Sequence, residues 1–405
     1  MTNCKNAKKL QKEKKMIEFY CKSIYSRWHN CPATVLEVFA MEEYYLMWLA
    51  RMTIHNVQKA FLLLKHFQTA EAVFFASAQE IHAVLKNATH LADNLITQRD
   101  PEMLENWILE LEEKEIFFYS YFHPMYPNLL KEIYDPPLGI YVKGILPDDE
   151  IDKIGVVGAR RCSAYGLETA HRITKDLGKT NVVVVSGMAR GIDAMAHKGI
   201  MDGGGKTIAV LGCGVDVCYP IENQNLMERI IQNGCLISEY PPQTKAMPYH
   251  FPHRNRIISG LSKMIVVVEA GKKSGTLITA DLALENGRDV FVVPGNVTSR
   301  FSEGTNNLIK QGCPIITEYS DILYALGISY QKEETEKYYQ TVLENLQPFE
   351  KEVFLLIDTQ NPITAEEIKR KLNRSIEEIQ YILSLLEISG YIHKRKQAGY
   401  IRNTK

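Results

Sequence analysis

Five short segments of this chain hold the residue types that grip anionic oxygen. They are Gly158-Ala159-Arg160-Arg161, Ser186-Gly187-Met188-Ala189-Arg190-Gly191, Gly212-Cys213-Gly214, Phe251-Pro252-His253-Arg254-Asn255-Arg256 and Lys272-Lys273-Ser274-Gly275-Thr276. Glycine lets a backbone N–H approach a ligand that a side chain would hold away. Arginine forks onto phosphate with two parallel hydrogen bonds, and an aromatic ring offers a face for stacking. The candidate contacts are therefore Gly158, Arg160, Ser186, Gly187, Arg190, Gly212, Gly214, Phe251, Arg254, Asn255, Lys272, Lys273, Ser274, Gly275 and Thr276.

Such segments act together only if a scaffold brings them to one place. Four of the five follow short Val/Ile-rich runs, at 154–157, 182–185, 207–211 and 264–268; another such run lies at 290–293. Each is closed by glycine or a polar turn residue and followed by a helical stretch, the pattern of buried parallel strands with crossover helices. Of the chain's 25 glycines, all but Gly327, Gly390 and Gly399 lie between Gly139 and Gly312. In a parallel sheet the carboxyl ends of the strands share one edge, so these loops converge. The expectation is a doubly wound, Rossmann-like α/β core over 111–326. Its strand ends would present arginines, lysines and open amides to a phosphate-rich ligand. Backbone-directed contacts with a little stacking suit a single strand better than a duplex.

Two other motifs fail on their spacing. Gly203-Gly204-Gly205-Lys206-Thr207 resembles the end of a Walker A loop, but the first glycine of that motif would fall on Ile200, and the run precedes a strand. Gly212-Cys213-Gly214 does follow a strand, yet Val217 replaces the third glycine of a dinucleotide fingerprint. Neither ATP hydrolysis through a P-loop nor NAD binding is supported, and no cofactor is expected. The eight cysteines show no CxxC spacing, so reduced thiols are expected rather than a metal site or disulfides. Net charge is −1, so any nucleic-acid site must be local. Apolar runs are far shorter than a membrane span and lysines follow residue 1, which points to a cytoplasmic protein without membrane contact.

The flanks read differently. Residues 1–15 form a basic arm with six lysines, Lys5, Lys8, Lys9, Lys12, Lys14 and Lys15, whose simplest reading is a solvated segment. Residues 16–110 read as a small helical, SAM-like domain. Where a helix-hairpin-helix would turn on glycines, Thr53-Ile54-His55-Asn56 supplies none, which favours a structural or interaction role. Residues 327–345 read as a linker, and 346–405 as a winged helix opened by the capping boxes at Thr364 and Ser375. Its third helix offers Glu377, Glu378 and Glu387 instead of cations, and only the ribbon (Lys394, Arg395, Lys396, Arg402) is basic. A partner-contact or accessory role is favoured there over reading a DNA duplex.

The motifs as a set resemble the DprA/Smf family of DNA-processing proteins. The matching residues are Gly158-Ala159-Arg160 with Ser163 and Tyr165-Gly166, then Ser186 to Asp193, and Gly212 to Asp216 with Tyr219-Pro220 and Asn223. Phe251 to Ser262, Ser274 to Ala280 and Gly304-Thr305-Asn306 follow in the family's order, and the match spans about 126–319. The resemblance implies a cytosolic, non-enzymatic protein that binds single-stranded DNA, helps load the RecA recombinase in natural transformation and dimerises through its core. The family's strand-binding positions fall on Arg160 and on Lys272 and Lys273; Arg254 and Arg256 lie in its signature segment, with an ion-pair role open to Arg256. The chain departs from the family in lacking its frequent N-terminal glycine hairpin, and 1–39 has no counterpart.

The serious rival is an enzyme resembling the LOG phosphoribohydrolases, which use a Gly-Gly-x-Gly-Thr-x-x-Glu loop. The glutamate position here is Thr279, which cannot serve as the acid, although Glu239 and Glu269 stand at strand ends. A sequence-specific transcription factor built on the winged helix is disfavoured by the charge of its third helix.

Overall fold

The five Val/Ile-rich runs form the parallel strands expected of them: β3 (Lys153–Val157), β4 (Val183–Ser186), β5 (Thr207–Val210), β7 (Met264–Val267) and β8 (Asp289–Val292). The computed structural model describes residues 33–328, 340–358, 362–395 and 399–403, and it adds three strands to the same sheet. They are β1 (Ile116–Ser120), β2 (Gly139–Gly144) and β6 (Gly234–Ser238). The strand order is β1-β2-β6-β5-β4-β3-β7-β8. β3 to β8 are mutually parallel, whereas β1 and β2 add an antiparallel edge beside β6.

The chain steps outward from β3 through β4 and β5 to β6, then returns to lay β7 and β8 on the other side of β3. Helices Ala164–Leu177, Ile192–Asp202 and Gln224–Gln232 pack on one another along the first half, and His250–Gly260 packs on Gly275–Glu285 along the second. Right-handed crossovers place the two groups on opposite faces once the strand order reverses. The sheet is doubly wound, and its switch point lies between β3 and β7. Val157, Val185, Ile208, Ile237, Ile265 and Val267 meet in one core with Ile257, Ile258 and Ala280 on one face of the sheet, and Val156, Val184, Ala209 and Val266 are buried on the other.

Among the described residues six helices, from Ala33–Met52 to Pro101–Glu113, precede the sheet. Trp48 is fully buried there, its indole N–H donating to the Gln98 carbonyl at 2.9 Å. Glu43, also buried, accepts the Ser120 backbone N–H at 3.1 Å and the Ser120 hydroxyl, which ties the first helix to the end of β1. The Cα trace forms two compact units, Met1–Ile322 and Leu323–Lys405, so these helices and the sheet share one unit.

The second unit contains helices Pro348–Leu356, Ala365–Leu372 and Ile376–Ile388, followed by an antiparallel ribbon of β9 (Ile392–Arg395) and β10 (Gly399–Arg402). Thr364 and Ser375 each form the capping box anticipated for them, and Ile379, Ile382, Leu383 and Leu386 are buried on one helix face. The basic arm 1–15, Cys4, Cys21, Cys31, Lys396 and most of the 327–345 segment lie outside the described residues. Among the described residues no helix is long and apolar enough to cross a membrane, and no cluster of three or more His, Cys, Asp or Glu could hold a metal.

Candidate functional site

Val157 at the end of β3 pairs with Val267 at the end of β7. The pairing continues one step beyond the sheet, with the Val268 N–H on the Val157 carbonyl at 3.1 Å and the Ala159 N–H on the Glu269 carbonyl at 2.8 Å. There the chains part, and a cleft of about 700 Å³ opens. This is the crevice that a reversal of strand order creates. Its walls carry Arg160 and Arg161 from the loop after β3, Lys272 and Lys273 from the loop after β7, and Arg300 from the loop after β8. Among the described residues Asp193 is the one carboxylate in the lining.

That carboxylate is buried and faces inward. It accepts the Gly187 N–H at 3.2 Å, and the Gly158 and Ala189 amides also donate to it. Burial pushes its pKa up, against the Arg254 charge and these amides, which pull it down. Three amides expected to stand open to a ligand are therefore used in holding two loops together. Gly158 is glycine because a Cβ there would lie 2.5 Å from the Ile192 side chain, so the helix from Ile192 packs directly under the loop. Gly191 enters that helix with φ of 77°, a left-handed conformation that favours glycine.

Arg254 forms the floor of the cleft. It is 3% exposed, donates from Nη1 to the carbonyls of Gly187 (2.8 Å) and Val210, and donates from Nε to Asn255 Oδ1 at 3.1 Å. Burial brings its guanidinium down to about 10, with the Asp193 charge opposing the shift. A Cβ on Gly187 would meet that guanidinium at 2.5 Å. Arg254 thus ties the ends of β4 and β5 and gives the floor a positive charge.

Arg160 stands exposed above this floor with its guanidinium 5.0 Å from the centre of the Phe251 ring. Tyr219 lies beside the same ring, 5.2 Å between centroids. Among the described residues no carboxylate pairs with Arg160, whereas Arg190 is held by Glu222 and Lys272 reaches Glu303 at 3.5 Å. Arg190 and Gly187 line a smaller hollow beside the cleft that shares Arg160, Tyr219 and Phe251. On the other wall, Ser274 caps helix Gly275–Glu285 by accepting the Thr276 N–H at 3.2 Å. The space beside Gly275 is open, so this helix start faces the cleft unobstructed.

Other sequence candidates have supporting positions. Ser186 is fully buried and donates its hydroxyl to the Val156 carbonyl at 2.6 Å, inside the sheet. Gly212 backs the Phe251 ring, and the Gly214 N–H donates to the Thr244 carbonyl at 3.0 Å; neither lines the cleft. Arg256 takes the ion-pair alternative, donating from Nη2 to both carboxylate oxygens of buried Glu239 at 2.6 and 2.7 Å. Burial pushes Glu239 up to about 7 despite the Arg256 charge. Glu269 is occupied as well, accepting the Ser163 N–H at 2.9 Å and its hydroxyl at 2.5 Å. Thr279 lines the cleft where the rival enzyme would need its acid.

Sequence reasoning passed over Arg300, Phe301 and Tyr219 as contacts, although all three line the cleft. The signal for the first two was available. Their loop follows the 290–293 run and so belongs to the same sheet edge.

A doubly wound α/β sheet with a crevice at its switch point defines the Rossmann-like class of proteins. Within it, this chain belongs to the DprA/Smf family: the model of DNA recombination-mediator protein A matches residues 117–327. It is similar to the DNA processing protein DprA of Streptococcus pneumoniae, 42% identical over 205 residues that cover 51% of this chain and 72% of that one. Protein Smf of Escherichia coli is 36% identical over 282 residues, covering 68% and 75%. The X-ray structure of the Streptococcus pneumoniae DprA matches with a TM-score of 0.60 at 33% identity, over 69% of this chain and 97% of that one.

Proposed function

We propose that the switch-point cleft binds single-stranded DNA by its phosphates and base faces, and that the chain, as a homodimer, delivers the strand to a RecA-type recombinase. The observation that carries the reading is Arg160. It is an exposed guanidinium without a carboxylate partner among the described residues, poised over Phe251 at the rim of a cleft lined by five further cations. A fork for phosphate beside a ring for a base is the pairing that single-strand binders use. Membership in a family of recombination mediators supports the same assignment.

The reading is of a binding protein, not an enzyme. Each strand-end carboxylate is already engaged, Glu239 by Arg256 and Glu269 by Ser163, while Asp193 holds backbone amides. Among the described residues that leaves no free carboxylate at the cleft for glycosidic cleavage. The 346–405 segment, as a winged helix, and the helical segment ahead of the sheet serve partner contacts, since the strand-gripping loops all lie between β3 and residue 301.

Titration of the purified protein with oligo-dT and with duplex of equal length, across salt concentrations, tests the reading. Single strand should bind far better. The logarithm of affinity should fall with the logarithm of salt by about 0.7 per phosphate, or a slope near −3 for about four contacts. Salt-independent affinity, or preference for the duplex, would overturn it.

A further inference from the structure

The loop after β8 builds a second aromatic–cationic station on the same edge. Phe301 is half-buried and lines the cleft, and the Arg300 guanidinium lies 4.9 Å from its ring centre. This repeats, with different residues, the arrangement of Arg160 over Phe251. In sheet order the two stations arise beside β3 and β8, with β7 between them. At strand spacings of about 4.8 Å, their strands are about 10 Å apart, the rise of roughly three stacked nucleotides.

The station is held firmly. The Asn306 side chain accepts the Gly295 N–H at 3.4 Å and donates to the Gly295 carbonyl at 3.1 Å, which closes the base of the loop. Within it the Ser299 N–H donates to the Asn296 carbonyl at 3.0 Å and the Ser302 N–H to the Ser299 carbonyl at 3.1 Å. The Phe301 N–H donates to the Ser299 hydroxyl at 3.3 Å. The Gly304 N–H donates to the Ala270 carbonyl at 2.8 Å, fastening the loop to the end of the β7 segment. A ring whose own backbone is fixed this way loses little freedom when a base settles on it.

We propose that Phe301 is a second base-stacking platform, with Arg300 supplying its phosphate contact, so that a bound strand crosses the loop at 271–276 between two stacked bases. The proposal rests on the single-strand reading of the cleft and assigns it a direction, from β3 across β7 to β8. Stacking needs a base, so the Phe301 contribution depends on nucleobases and is insensitive to salt, in contrast to that of Arg160.

The test measures binding of full-length wild type, Phe301→Leu, Phe301→Tyr and Arg160→Ala to oligo-dT and to an abasic deoxyribose-phosphate oligomer of the same length, across salt. Melting temperatures are recorded alongside. Phe301→Leu should weaken oligo-dT binding about tenfold, with the salt slope and melting temperature unchanged and abasic binding unaffected. Phe301→Tyr should retain most of the affinity. Equal binding of oligo-dT by Phe301→Leu and wild type overturns the platform, and so does an equal loss on oligo-dT and the abasic strand. If Arg160→Ala is impaired while Phe301→Leu is not, the platform alone falls. Failure of the wild type to bind oligo-dT removes the single-strand reading and the platform with it.

Discussion

Two arginines in this cleft carry the same charge and do different work. Arg160 is exposed and lies against a ring, whereas Arg254 is buried and hydrogen-bonded to the carbonyls of Gly187 and Val210. Arg160→Ala should therefore weaken single-strand binding at least about tenfold, or ~1.4 kcal/mol, and leave the melting temperature nearly unchanged. Arg160→Lys should recover only part of the affinity, since lysine keeps the charge and loses the fork. Arg254→Ala should show the opposite signature. It strands two buried carbonyls and the Asp193 charge, and should cost about 3 kcal/mol of stability in denaturant unfolding. If Arg254→Ala unfolds at the wild-type midpoint, the floor is not held as described. The sequence marked both residues through their place after strands and in a basic-aromatic run. It could not separate them, because burial depends on which way the helix from His250 turns its faces. Nor could it reveal that Asp193 draws in the Gly158, Gly187 and Ala189 amides, since the residues involved come from two loops and the helix from Ile192.

At the scale of elements, the parallel strands were legible because each is a short Val/Ile run ending in glycine or a polar residue. β1, β2 and β6 lacked that signature: β1 is mostly aromatic, β2 begins and ends on glycine, and β6 contains only Leu236 and Ile237 of the usual apolar set. The contact between the first helix and β1 was invisible for the same reason. It hinges on Glu43, which burial raises to about 8, against the lowering effect of its hydrogen bonds from Ser120. An unburied glutamate titrates near 4.5. Between these values the folded chain keeps a proton that the unfolded chain releases, so folding is favoured less as pH rises. The contribution is complete below about 4.5 and lost as pH passes through about 8. Glu43→Gln removes this titration, so the drop in unfolding free energy from pH 6 to pH 9 should be shallower than in wild type. Parallel pH profiles for the two proteins would show that Glu43 is not the group responsible.

Across the whole molecule, the cations of the proposed strand site gather at one sheet edge, at Arg160, Arg161, Arg254, Lys272, Lys273 and Arg300. Helix Ile376–Ile388 of the C-terminal unit opens with Glu377 and Glu378 and carries no lysine or arginine, so it would repel the strand proposed for the cleft. Hydrogen–deuterium exchange of the full chain with and without oligo-dT locates the ligand without substitution. Slowed exchange should be confined to the loops at 158–166, 187–191 and 271–276 and extend to 296–302, while 376–402 exchanges as in the free protein. Protection appearing in 376–402, with the four loops unchanged, would contradict the assignment of single-strand binding to the switch-point cleft.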